Sequence, residues 1–254
     1  MLNIDLSKKI AIVTGATGDL GRVMVRTLAD CGADIAIHYR QNHDKARELA
    51  DEATGKGVRA MTVQADITDL NAILAMRDRI HETLGAPDII VNNAVTQYNW
   101  VSILEQAAED YEGQFRSCVL HNVYMAKAFI PAMIEKRQGR VIGINTECVM
   151  QCVPGQSAYV SGKRGMDGVL RVLAREVGEH QITVNQIAPG WMISDRDRAT
   201  GTEVNEGYSR SVALKRRGYD QDIANTVAFL ASDLAAFITG AFISVSGGNV
   251  MPTI

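Results

Sequence analysis

Four cysteines in 254 residues are too few for a disulfide scaffold. They stand at positions 31, 118, 148 and 152 with no C-x-x-C pair, and none of the five histidines falls at ligand spacing from them. No metal site is therefore expected. Prolines number only five and do not gather with glycine or serine into a linker. No repeat or low-complexity segment is present, so residues 1–254 read as one domain. No run reaches the roughly 18 apolar residues that cross a bilayer, and Ile10–Val13 is only strand length. Met1–Lys9 lacks the basic, apolar and small-residue order of a secretory leader. Charge of one sign is lacking too: the net charge is −3 and Lys and Arg are scattered, which argues against a nucleic-acid partner. A reduced, soluble, cytoplasmic protein is the expectation.

What is present is alternation. Short β-branched runs read as strands at Ile10–Thr14, Asp34–Tyr39, Val58–Gln64, Ile89–Asn92, Arg140–Asn145, Ile182–Ile187 and Ala241–Val245. Between them, helical patterns cover Leu20–Cys31, Asp44–Thr54, Leu70–Leu84, about Glu109 to Arg137, Ala158–Glu179 and Asp220–Ser232. Strand–helix alternation of this kind predicts an α/β fold with one parallel sheet of about seven strands and helices on both faces. The strands are nearly all apolar, as both-sided burial requires. Trp191–Arg217 is the least patterned stretch and is expected to be an irregular substrate loop.

The first strand runs into Thr14–Gly15–Ala16–Thr17–Gly18–Asp19–Leu20–Gly21 and then a helix. Glycines there let backbone approach a pyrophosphate, and a helix N-terminus offers free N–H groups. Place and composition together make this a dinucleotide-binding turn.

At these residues the chain resembles the short-chain dehydrogenase/reductase family, over about residues 5 to 250. The resemblance implies a Rossmann-type doubly wound sheet. Thr14, Gly15 and Gly21 match the family's T-G-x-x-x-G-x-G, but Asp19 replaces the middle glycine and Gly18 precedes it. Asp19 is a good helix N-cap, yet it repels a pyrophosphate unless Gly18 re-routes the loop and turns it outward. Cofactor contacts are expected from Gly15, Thr17, Gly18, Leu20 and Gly21. The second strand ends His38–Tyr39–Arg40, without the carboxylate that binds an NAD ribose. Arg40 is suited to a 2′-phosphate, so NADP is expected, with NAD the alternative. The resemblance adds Asp66 and Ile67 beside the adenine, and Asn93 and Ala94 in a Val91–Asn92–Asn93–Ala94–Val95 segment whose last residue departs from the family's glycine.

Tyr159 is the only tyrosine followed four residues later by a lysine, Lys163, and the spacing puts both on one face of a predicted helix. A neighbouring ammonium lowers a phenol's pKa and suits it to proton transfer at a carbonyl or alcohol oxygen. The family's serine, thirteen residues earlier, falls on Thr146, which keeps the hydroxyl. The family's helix asparagine falls on Cys118, and a thiol cannot copy an amide. Asn122, one turn on, is the proposed substitute. Pro189, Gly190 and Met192 follow the sixth strand where the nicotinamide is expected to lie. Tyr98 and Trp100 face either substrate or solvent.

The resemblance thus implies hydride transfer between NADP and a ketone or secondary alcohol, closest to the 3-oxoacyl-carrier-protein reductases. Tyr159 is the acid/base, Lys163 its modulator, and Thr146 the carbonyl-binding hydroxyl. The four-residue spacing favours carbonyl over enoyl reduction. A sugar or polyol dehydrogenase is one alternative. A cofactor-binding protein with degenerate catalysis is another, because Asp19, Val95, Cys118 and Thr146 all depart from the pattern. A homo-oligomer, tetramer or dimer, is implied as well.

Overall fold

The structure, a computed structural model, describes residues 4–252. Seven strands form one wholly parallel sheet: β1 (Ile10–Val13), β2 (Asp34–Tyr39), β3 (Ala60–Gln64), β4 (Ile89–Asn92), β5 (Gly139–Ile144), β6 (Ile182–Pro189) and β9 (Phe242–Val245). Their spatial order is β3-β2-β1-β4-β5-β6-β9. The order reverses between β1 and β4, and a crevice opens there at the strands' carboxyl ends. Parallel pairing needs crossovers, and helices on both faces supply them. These are α1 (Asp19–Asp30), α2 (His43–Gly55), α3 (Leu70–Thr83), α4 (Ala108–Gln114), α5 (His121–Lys136), α6 (Cys148–Gln151), α7 (Ser157–Val177), α8 (Asp195–Thr200), α9 (Glu206–Ser211) and α10 (Asp220–Ala231).

Two cores result, one on each face. Met24, Leu28, Ile35, Ile37, Val227 and Leu230 join α1 and α10 to one face. Ile12, Ile73, Phe129, Met133 and Leu170 join α3, α5 and α7 to the other. Alternate residues of β1 feed opposite cores, with Val13 in the first and Ile12 in the second, as strand pleating dictates.

Three expectations need correction. The helix expected over Glu109–Arg137 is interrupted by a π-helical turn, Phe115–Leu120, between α4 and α5. Asn122 Nδ2 donates to the Cys118 carbonyl at 2.7 Å, and Ser117 Oγ donates to that of Gly113 at 2.8 Å, so side chains satisfy groups inside and beside the turn. Second, the 191–217 segment is not irregular. It holds α8 and α9, and two-residue strands β7 (Met192–Ile193) and β8 (Gly218–Tyr219) pair at its ends. Ser194 and Asp197 form a capping box on α8, a signal legible in the sequence. Third, Gly18 rather than Asp19 caps α1, and Asp19 is the first helical residue.

Candidate active site

Sterics fix the turn between β1 and α1. Gly15 has φ +62°, and a Cβ there would lie 3.0 Å from the Ala94 Cα. A Cβ on Gly21 would lie 2.3 Å from the Gly15 carbonyl oxygen, so α1 packs directly on the turn. Side chains then brace it. Thr14 Oγ1 accepts from the N–H groups of Asn93 at 2.9 Å and Ala94 at 3.1 Å. Asn93 Nδ2 donates to the carbonyls of Thr14 and Gly15 at 2.9 and 3.1 Å. Buried His38 accepts from the Gly15 N–H at Nδ1 (3.0 Å), while Nε2 lies 3.1 Å from the Ala65 carbonyl. Burial lowers its pKa to about 4, so the imidazole is neutral at pH 7.

No side chain caps the first turn of α1, which leaves its N–H groups and positive dipole end to an anion. Asp19 stands at the rim, its side chain 54% exposed and 3.7 Å from the Arg22 guanidinium, which also pairs with Asp195 and, at 3.6 Å, with Asp220.

A cleft of about 500 Å³ leads from this turn to Arg40, Gln41 and Asn42. Thr17, Gly18, Leu20, Ile67 and Ala94 also line it. At its Arg40 end the lining contains no carboxylate. Asp66 is not among the lining residues; its carboxylate accepts from the Thr68 N–H at 2.8 Å and hydroxyl at 2.7 Å. Glycine cradle and uncapped helix end together fit a dinucleotide's pyrophosphate, and the Arg40 guanidinium lines the same cleft.

A second pocket of about 280 Å³ shares Asp19, Leu20, Asn93, Val95 and Gln97 with the cleft and continues it. Thr146, Tyr159, Lys163, Pro189, Gly190 and Met192 line it. Residues expected from distant parts of the sequence are thus brought to one place. Gly21 lines neither space and acts from behind the turn.

The electrostatics differ from expectation. Burial pushes the Tyr159 phenol far up, and the Cys148 and Cys118 thiols add to the shift; Thr146 pulls the other way by hydrogen bonding. Lys163 lies 5.8 Å from the ring centroid, but Nζ donates to the Ile144 carbonyl at 2.5 Å. Its own pKa is lowered by complete burial. The phenol is therefore a neutral proton donor across the physiological range, not an activated phenolate. The rate consequence has a definite sign. Alcohol oxidation needs the scarce phenolate, so its kcat/KM is expected to rise about tenfold per pH unit from 7 to 9. Carbonyl reduction should stay flat over the same range. Parallel initial-rate profiles in both directions check this.

Asn122, the expected substitute for the missing amide, is engaged by two buried hydrogen bonds. Its Nδ2 is bound to the Cys118 carbonyl, and its Oδ1 accepts from Asn92 Nδ2 at 2.7 Å. It braces the π turn. Cys118 is buried, its Sγ 3.7 Å from Gln114 Oε1.

The sequence left Tyr98 and Trp100 open between substrate and solvent, and both pack on Tyr159. Tyr98 Oη accepts from the Tyr159 N–H at 2.6 Å, and Trp100 stacks on the Tyr159 ring at 5.9 Å between centroids. Glu147 is buried beside Thr146. Sequence reasoning missed Glu147, and the signal at His38 was a polar residue in an otherwise apolar strand.

Comparison with known proteins bears on this geometry. The profile of a family described as enoyl-(acyl carrier protein) reductase matches residues 15–249. A 3-oxoacyl-[acyl-carrier-protein] reductase of Staphylococcus aureus is 37% identical over 245 residues, covering 96% of this chain and 98% of its own. The protein of that name from Escherichia coli K12 is 37% identical over 246 residues, with 96% and 98% coverage. Among solved structures, the promiscuous reductase LugOII, which catalyses keto-reduction at C1 in lugdunomycin biosynthesis, superposes with a TM-score of 0.89. It is 30% identical, over 97% of this chain and 99% of its own.

Proposed function

The chain belongs to the short-chain dehydrogenase/reductase family, and on that premise we propose that it is an NADPH-dependent reductase of 3-oxoacyl thioesters. It is an oxidoreductase of the ketone–alcohol pair that uses NAD(P). The finer reading is carried by one observation: Tyr159, Thr146 and Lys163 converge where the Arg40 cleft ends. The matched family profile bears the name of an enoyl reductase. The four-residue Tyr159–Lys163 spacing and the 3-oxoacyl relatives favour the carbonyl instead.

When bound, the nicotinamide supplies a hydride to the carbonyl carbon. Thr146 donates a hydrogen bond to the substrate oxygen and polarises it. Tyr159 gives its phenolic proton to that oxygen as charge develops. Buried Lys163, its Nζ 5.8 Å from the Tyr159 ring centroid, is placed to hold the nicotinamide ribose. Asn93, Pro189, Gly190 and Met192 wall the nicotinamide end. Arg40 takes the 2′-phosphate, and residues 191–217 cover the substrate. An apolar strip on α5 and α7, with Ile130, Val169 and exposed Val172, supports assembly of the proposed dimer or tetramer.

The test follows absorbance at 340 nm with NADPH and acetoacetyl-CoA or crotonyl-CoA, and with NADP and a polyol panel. Rapid NADPH loss with acetoacetyl-CoA alone is expected. Turnover confined to crotonyl-CoA or to polyols would overturn the reading. Arg40→Glu should weaken NADPH binding about 10- to 100-fold, the range of one or two lost charge-assisted hydrogen bonds, and leave NADH within threefold. Fluorescence titration reads both.

A further inference from the structure

Glu147 adjoins Thr146, yet no step above uses it. Its residue is 4% exposed, and its carboxylate forms no ion pair among the described residues. Burial pushes its pKa up, while hydrogen bonds from Asn249 and Tyr208 hold it down. A buried carboxylate without a cation is costly unless donors satisfy it, so the identity of those donors is informative.

They come from two distant segments. Tyr208 Oη, on α9, donates to Oε1 at 2.9 Å and accepts from the Trp191 N–H at 2.7 Å. Asn249 Nδ2, past β9, donates to Oε2 at 3.0 Å. Asn249 Oδ1 then accepts from Ser211 Oγ at 2.9 Å, so α9 is tied at both ends. The Glu147 N–H donates to the Pro189 carbonyl at 2.9 Å. Packing leaves no slack. A Cβ on Gly190 would lie 2.6 Å from Tyr208 Oη and 3.2 Å from Glu147 Oε2. The Trp191 ring sits edge-on to Tyr208 at 5.4 Å and under the Arg217 guanidinium at 4.5 Å. Pro189 and Gly190 line the active-site pocket, so this ring of bonds is anchored on its wall.

We propose that Glu147 is a positioning residue that holds the 191–217 segment over the active-site pocket, through Tyr208 and Asn249, and so sets the grip on a carbonyl substrate. The substrate half rests on the carbonyl-reductase reading; the loop half does not. A glutamine loses the charge but keeps both contacts, its Oε1 accepting from Asn249 Nδ2 and its Nε2 donating to the Tyr208 hydroxyl, which can accept. An alanine retains neither.

The test compares the full-length wild type with Glu147→Gln, Glu147→Ala, Tyr208→Phe and the Glu147→Ala/Tyr208→Phe double variant. Trypsin cleavage after Arg196, Arg198 and Arg210, read by mass spectrometry, is expected to be at least about tenfold faster in Glu147→Ala and Tyr208→Phe. With NADPH and acetoacetyl-CoA as the probe, KM should rise at least about tenfold while kcat stays within threefold. NADPH affinity should not change, and the two substitutions should be less than additive in the double variant, because they share the Tyr208–Glu147 contact. A folded set of variants with wild-type cleavage would overturn the proposal. So would a lower melting temperature and lower kcat with KM unchanged, the mark of a merely structural role. Should Glu147→Ala fail to fold, Tyr208→Phe, which deletes one oxygen, decides alone. Should the wild type not reduce acetoacetyl-CoA, the carbonyl reading fails, while the cleavage rates still decide the loop.

Discussion

Tyr159→Phe is expected to lower kcat for carbonyl reduction by about 10²- to 10⁴-fold, the range for a lost general acid. Only the oxygen is removed. The ring stays stacked on Trp100, and the Tyr159 N–H keeps its bond to Tyr98 Oη. Stability should therefore change little. NADPH affinity should also persist, because the glycine turn and Arg40 lie at the far end of the cleft. The signature is thus a protein that melts and binds NADPH as wild type does but turns over hardly at all. Single-turnover absorbance at 340 nm and a calorimetric titration make the comparison. Retention of more than a tenth of the wild-type rate would assign the proton to another group.

Gly21→Ala is expected to weaken NADPH binding by about 100-fold or more. The added Cβ would meet the Gly15 carbonyl oxygen at 2.3 Å, the Ala16 Cα at 2.8 Å and the Ala16 carbonyl carbon at 2.9 Å. All three are backbone atoms, so no side chain can swing aside. The start of α1 must move outward, which misdirects its N–H groups. A displacement of about 1 Å at such a site costs about two orders of magnitude. Overpacking should also lower stability by about 1–3 kcal/mol. Gly55→Ala is the control, because a Cβ there meets nothing within 4 Å. Titration and thermal unfolding of both variants read the difference. Wild-type affinity in folded Gly21→Ala would show that the turn does not carry the cofactor.

The sheet was legible because each strand is an apolar run bounded by turn residues. Strand ends came within two residues of those observed, and β2 and β4 matched throughout. The glycine turn was legible for the same reason: backbone proximity demands glycine, and glycine is visible in a sequence. Tyr159 and Lys163 were legible because helix geometry converts their spacing into one face. The π turn was not legible, because it depends on Asn122 meeting the Cys118 carbonyl and on close packing of Gly162 on Gln114. The direction of the Tyr159 shift was missed because a helical spacing does not tell where an ammonium points. Glu147 was invisible for a third reason. Its partners Tyr208 and Asn249 lie 61 and 102 residues away, and only the tertiary fold brings them together.

The central claim is that the Gly15–Gly21 turn and Arg40 form a site for a phosphorylated nicotinamide dinucleotide, despite Asp19 and Val95. Side-by-side calorimetric titration of the purified protein with NADPH and NADH tests it without knowledge of the substrate. Micromolar binding of NADPH is expected, at least about tenfold tighter than that of NADH. Binding of neither would mean that the Asp19 carboxylate and the Val95 side chain close the site, and the oxidoreductase mechanism built on it would fall.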